Sequence, residues 1–112
     1  MSEPRLRTGL WVGMAALRAG QQGVFALVLR HGDDDAGGVL AVLRDHSGQF
    51  SVLSQTRDAE GRQAWLRGTG PEPVDEATAN AYVARQTARD PDLWVVEFDG
   101  PTLMPPFEAK LL

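Results

Sequence analysis

The chain has 112 residues, which suits one compact domain and leaves little room for a second. It has no cysteine, which excludes disulfides, thiolate-bound zinc, iron–sulfur clusters and a thiol nucleophile. A net charge of −4 disfavours general phosphate-backbone binding, and no apolar run approaches the roughly 20 residues of a membrane span.

Residues 8 to about 22 read as the first helix. Thr8 can cap it, and Leu10, Met14 and Leu17 share a face. Trp11, Val12, Ala15 and Ala16 put apolar groups on its other faces, so deep packing is expected. Gly13 would let it approach the sheet, and Gly20 and Gly23 lie where it should end.

Four strands are expected next, at 24–30, 39–44, 50–56 and 63–67. Short breaks rich in Gly, Asp and Ser separate them, which favours a meander of hairpins. The first two runs are apolar at nearly every position and are expected inside the sheet. The fourth sets Gln63, Trp65 and Arg67 against Ala64 and Leu66, which suits a half-exposed strand near an edge.

After a loop with Pro71 and Pro73, a second helix is expected from Asp75 to about Arg89. Asp75 can cap it, and Glu76 complements the positive end of its dipole. Ala77, Ala81, Ala84 and Ala88 form a small-residue stripe suited to lying close to a sheet. Asp90-Pro91 stops the helix, and residues 93–98 read as a fifth strand. The tail, 101–112, is rich in proline yet apolar, so it is expected to pack back or to meet a partner.

The expected fold is a single α+β domain with a mostly antiparallel five-stranded sheet and two helices packed on it. Following strand direction gives a sheet order of 5-1-2-3-4. It also brings the 30–38 turn, the 57–62 turn and Asp90-Pro91-Asp92 to one end. There Arg30, Asp33, Asp35, Arg57, Arg62, Trp65 and Asp92 form a candidate ligand or interaction surface. The first helix would begin there too, beside Arg5 and Arg7, offering free N–H groups to an anion.

Each stronger chemistry meets an objection. His31, Asp33 and Asp35 alternate as oxygen-rich metal ligands can, but Gly37 and Gly38 come too early for a calcium loop and no glutamate follows at the right offset. Turn aspartates serve as acceptors for backbone N–H groups, so neither a metal nor a catalytic carboxylate pair is expected. His31 and His46 fall at opposite ends of the sheet, and there is no Gly-x-Ser-x-Gly and no phosphate-binding glycine loop. Arg57, Arg62, Trp65 and Arg67 could form a platform for single-stranded nucleic acid, but the negative net charge favours an edge strand with arginines lying over a half-buried tryptophan.

Four blocks occur in a recognisable order: Arg5-Leu6-x-x-Gly9-Leu10-Trp11-Val12, Arg30-x-Gly32-Asp33-x-Asp35-Ala36-Gly37, Arg62-x-x-Trp65, and Asp90-Pro91-Asp92-Leu93-Trp94-Val95-x-Glu97. They resemble the bacterial domain-of-unknown-function family 1491, from about Arg5 to Asp99, with the tail lying outside the resemblance. This likeness implies a small alphaproteobacterial protein with no established activity, substrate or cofactor. It supplies no catalytic residue.

With no catalytic residues or cofactor indicated, the expected role is a small non-enzymatic interaction module, homodimeric and cytoplasmic. The alternative is a small-molecule or anion-binding protein, enzyme or not. In that case Arg30, Arg57 and Arg62 would hold the anion and Trp65 would cover an apolar part. The N-terminus lacks the basic-then-apolar order of a secretory signal.

Overall fold

The computed structural model describes residues 6–112. In chain order it contains α1 (Thr8–Gln21), β1 (Phe25–Arg30), β2 (Val39–Arg44), β3 (Phe50–Arg57), β4 (Gln63–Arg67), α2 (Glu76–Arg89) and β5 (Trp94–Asp99). The strands form one mixed, mostly antiparallel sheet in the order β1-β5-β2-β3-β4. β5 runs antiparallel to β1 and parallel to β2, while β2, β3 and β4 form an antiparallel meander.

The strand directions are those expected, but the order is not. β5 lies between β1 and β2 rather than outside β1. Two properties of the chain explain this. First, β5 is apolar on both faces: Trp94, Val96 and Phe98 pack into the core under α1, and Val95 packs into the core under α2. Second, the 31–38 connection crosses the start of β5 instead of closing a tight hairpin. Asp33 N donates to Asp92 O at 3.0 Å, and Trp94 N donates to Gly38 O at 2.9 Å. Stepping over one strand spans about 10 Å, twice the strand spacing.

This insertion moves β1 from the expected interior to an edge. Its apolar residues are largely exposed, because α2 packs on β3 and does not cover β1. The buried face of α2 is Ala79, with Tyr82 and Val83 beside it, and not the expected alanine stripe, whose members are exposed. Tyr82 is seated against Gly68, where an added Cβ would stand 2.3 Å from its ring. Asp75 caps α2 as expected, its side chain accepting from Thr78 N at 2.8 Å.

α1 buries Thr8, Val12, Ala15 and Ala19. Leu10, Met14 and Leu17 face outward, contrary to the expected deep packing. The smaller residues won because they let the helix settle closely on the sheet. Gly13 plays no part in that approach, since nothing lies within 4 Å of a Cβ added there. Gly23, at φ 74°, ends the helical segment.

The tail runs beside β4. Trp65 N donates to Lys110 O at 2.8 Å, and Leu112 N donates to Trp65 O at 3.0 Å. Phe107 is buried against Trp11, Trp65 and Phe98. Trp65 is consequently fully buried, not half exposed.

Candidate functional site

The 30–38 turn is built by its own side chains. Asp33 Oδ2 accepts from the N–H groups of Asp35 (3.2 Å) and Ala36 (2.8 Å), the arrangement turn aspartates favour. Trp94 Nε1 donates to Asp33 O at 2.8 Å, and the His31 ring lies 4.0 Å from the Trp94 ring. Arg30 Nη2 donates to Pro91 O at 3.0 Å, fastening β1 to the segment before β5. Asp92 contributes its carbonyl to Asp33 N and its own N–H to Asp90 Oδ1. Arg30, Asp33 and Asp92 thus meet, and the bonds they form hold the turn together.

The anion site expected at the start of α1 is closed. Arg7, not Thr8, is the N-cap, and it gives no side-chain cap bond. Instead Gly9 N donates to Asp34 O at 2.9 Å and Thr8 N to Asp35 O at 3.4 Å. The Thr8 hydroxyl donates to Gly37 O at 2.6 Å. Arg7 stands 3.6 Å from Asp35, but both side chains are exposed, so the pair adds little. Arg5 lies outside the described residues.

The 57–62 turn arrives at the same end, on the far side of α1's N-terminus. Asp35 and Arg57 line one cleft of about 330 Å³, together with Arg7, Thr8 and Trp11. Arg62 lines a larger one of about 760 Å³ between α1, the 57–62 turn and the tail. Trp11 and Gln63 border both clefts. Trp65 lies under this region with its indole N–H unpaired among the described residues. It can neither cover a ligand nor stack on a base, so the arginine–tryptophan platform is not formed.

Asp58 organises this side. Its Oδ1 accepts from the N–H groups of Glu60 and Arg62, both at 2.9 Å. Its Oδ2 accepts from Lys110 Nζ at 2.8 Å, and its side chain is only 3% exposed. The Lys110 ammonium, with the Arg62 N–H behind it, holds the Asp58 carboxyl at about 2. A carboxyl depressed in the folded state stabilises above its unfolded value near 3.9 and loses that contribution as pH falls toward 2. Wild type should therefore lose more stability than D58N between pH 4 and 2, measured by urea unfolding at fixed salt. Parallel acid profiles would remove Asp58 from the tail's anchorage.

Sequence reasoning did not single out Lys110, Phe107 or Arg18. The spacing of Trp11, Met14, Ala15 and Arg18 marks one helix flank and could have indicated the last. The tail's path has no local signal.

Two comparisons decide the family. The model of a family of proteins of unknown function, DUF1491, matches residues 6–108. The chain belongs to the DUF1491 family. A crystal structure of a DUF1491 protein from Caulobacter crescentus CB15 is 30% identical, covers 96% of this chain and 100% of its own, and has a TM-score of 0.87. An NMR structure of a DUF1491 protein from the same organism is 30% identical, covers 98% and 99%, and scores 0.85. The solution structure of Atu0922 from A. tumefaciens shares the fold at 22% identity, with 95% of each chain covered and a TM-score of 0.78. No curated protein matches. The DUF1491 match extends past Asp99 to residue 108, so most of the tail belongs to the family pattern, contrary to expectation. DUF1491 carries no assigned function.

Proposed function

We propose that this DUF1491 chain is a non-enzymatic interaction module of the bacterial cytoplasm that works as a homodimer through the open edge of β1. The observation that carries this reading is the contrast between the two edges of the sheet. The tail hydrogen-bonds along β4, whereas β1 has no strand on its outer side among the described residues. On β1, Phe25 is 69% exposed, Leu27 46% and Leu29 53%. Edge strands are usually guarded by charge, proline or a covering segment, because their free N–H and C=O groups template further pairing. Along β1 the only charge is Arg30, at its end. α1 packs on β1 but leaves Phe25, Leu27 and Leu29 exposed, so the edge keeps an apolar surface.

The sequence of β1 suits antiparallel pairing with itself. A two-fold axis at its centre keeps the two Arg30 side chains a strand length apart, about 17 Å. Each then approaches Phe25 of the partner subunit, and within one chain Phe25 pairs laterally with Asp99. Parallel pairing would instead set like charges side by side. The absence of cysteine fits a reducing compartment.

Analytical ultracentrifugation tests this reading. Wild type should sediment as a dimer at micromolar concentration and L27K as a folded monomer, because the lysine adds charge to an exposed strand position. A wild type that is monomeric throughout, or an L27K dimer as tight as wild type, would overturn it.

A further inference from the structure

The cleft between α1, the 57–62 turn and the tail lies apart from the β1 edge, and the dimer reading leaves it unexplained. Its volume, about 760 Å³, falls within the range of small-molecule sites. Its lining divides into an apolar floor and a charged rim.

The floor is Trp11 and Phe107, whose rings meet edge to face with centroids 5.2 Å apart. Trp65 backs both, at 5.5 Å from Trp11 and 5.1 Å from Phe107. Three interlocked rings make a rigid surface that needs no ordering when a flat molecule lies on it. The buried Trp65 indole N–H, unpaired among the described residues, belongs to the same cluster.

The rim takes one cation from each of three elements: Arg18 from α1, Arg62 from the turn and Lys110 from the tail. Two acids, Asp58 and Glu108, also line the cleft. Asp58 is neutralised by its 2.8 Å bond to Lys110. Arg18 and Arg62 then face only Glu108, which leaves a positive rim on a chain whose net charge is −4. Guanidinium groups match carboxylate and phosphate oxygens through paired N–H donors.

We infer that this cleft binds a small organic anion, its flat apolar body on Trp11 and Phe107 and its carboxylate or phosphate on Arg18 and Arg62. The Asp58–Lys110 pair is a positioning element here. It ties the tail to the turn and so fixes the wall that carries Phe107.

Two probes distinguish the anion chemistries: adenosine monophosphate for phosphate and naphthalene-1-carboxylate for carboxylate. Each is titrated to millimolar concentration into the full ¹⁵N-labelled chain, with adenosine and naphthalene-1-methanol as neutral controls. At least one anion should shift the Trp11 indole N–H and the amides around Arg18 and Arg62. R18Q and R62Q, both changes at the rim, should each weaken that binding about tenfold or more, the loss expected for a hydrogen bond to a charged group. Their sedimentation should match wild type, which separates loss of the cleft from loss of the dimer. A response to adenosine monophosphate alone assigns a phosphate ligand, and one to the naphthoate alone assigns a carboxylate. Silence from both anions, shifts mapping elsewhere, neutral controls binding equally well, or unchanged affinity in both variants would overturn the inference.

Discussion

Replacing Trp65 with alanine should cost about 3–5 kcal/mol, the range for deleting a large aromatic side chain from a core. That is a large fraction of the roughly 5–15 kcal/mol that holds a domain together. Trp65 is fully buried and packs on both Trp11 and Phe107, so its removal leaves a cavity that α1 and the tail must both close. The backbone bonds from Trp65 to Lys110 and Leu112 survive the change, so the loss reports on packing rather than on the tail's hydrogen bonds. W65F separates a second effect. It also removes ring volume, but it removes the buried indole N–H that has no partner among the described residues. An unsatisfied buried donor costs about 1–3 kcal/mol, which offsets part of the packing loss. W65F should therefore lose less than half of what W65A loses. Urea unfolding at one protein concentration measures both. A W65F loss of half the W65A loss or more would mean that removing the indole N–H brings no gain.

Much of the fold was legible because hydrophobic period and turn chemistry are local. Each helix and strand was readable, and so were the strand directions, because the breaks from β1 to β4 each reverse the chain and α2 carries it back before β5. The position of β5 was not. Both β1 and β5 read as apolar runs, and nothing within either shows which is covered on both sides. That depends on where α2 lands, which is a long-range matter. The face of α1 was misread for a related reason. Its apolar residues surround the axis, so period alone could not choose between the Leu10, Met14, Leu17 stripe and the smaller Val12, Ala15, Ala19 stripe.

The end of the sheet that gathers the charged turns was also legible, but its chemistry was not. Arg30, Asp33 and Asp92 meet there as holders of the turn: Arg30 donates to Pro91 O, and Asp33 N donates to Asp92 O. Arg57 and Arg62 reach the same end yet fall into different clefts. The partner that orders their side, Lys110, lies 52 positions from Asp58. No spacing rule connects two such positions. Only the tail's course along β4 brings them together.

Gly32→Ala should destabilise the fold by about 3 kcal/mol, at the upper end for overpacking. A Cβ at Gly32 would lie 2.3 Å from Asp92 O, 2.6 Å from Trp94 Cδ1 and 2.7 Å from Leu93 C. Two of these three atoms are backbone, so no side-chain rotation relieves the clash. Gly32 is not among the glycines with positive φ, so its requirement is for space and not for a special backbone conformation. The same atoms explain the sheet order. Asp92 and Leu93 lead into β5, and the 31–38 connection lies directly on them as it crosses from β1 to β2. In a plain hairpin with β5 outside β1, Gly32 would have open space and alanine would be tolerated. G13A supplies the control. Gly13 is a helix-interior glycine with nothing within 4 Å of an added Cβ, so alanine there should stabilise by about 1 kcal/mol. Thermal and urea unfolding of both variants should move in opposite directions. A G32A protein as stable as wild type would place β5 elsewhere, and with it the exposed edge on which dimerisation through β1 depends.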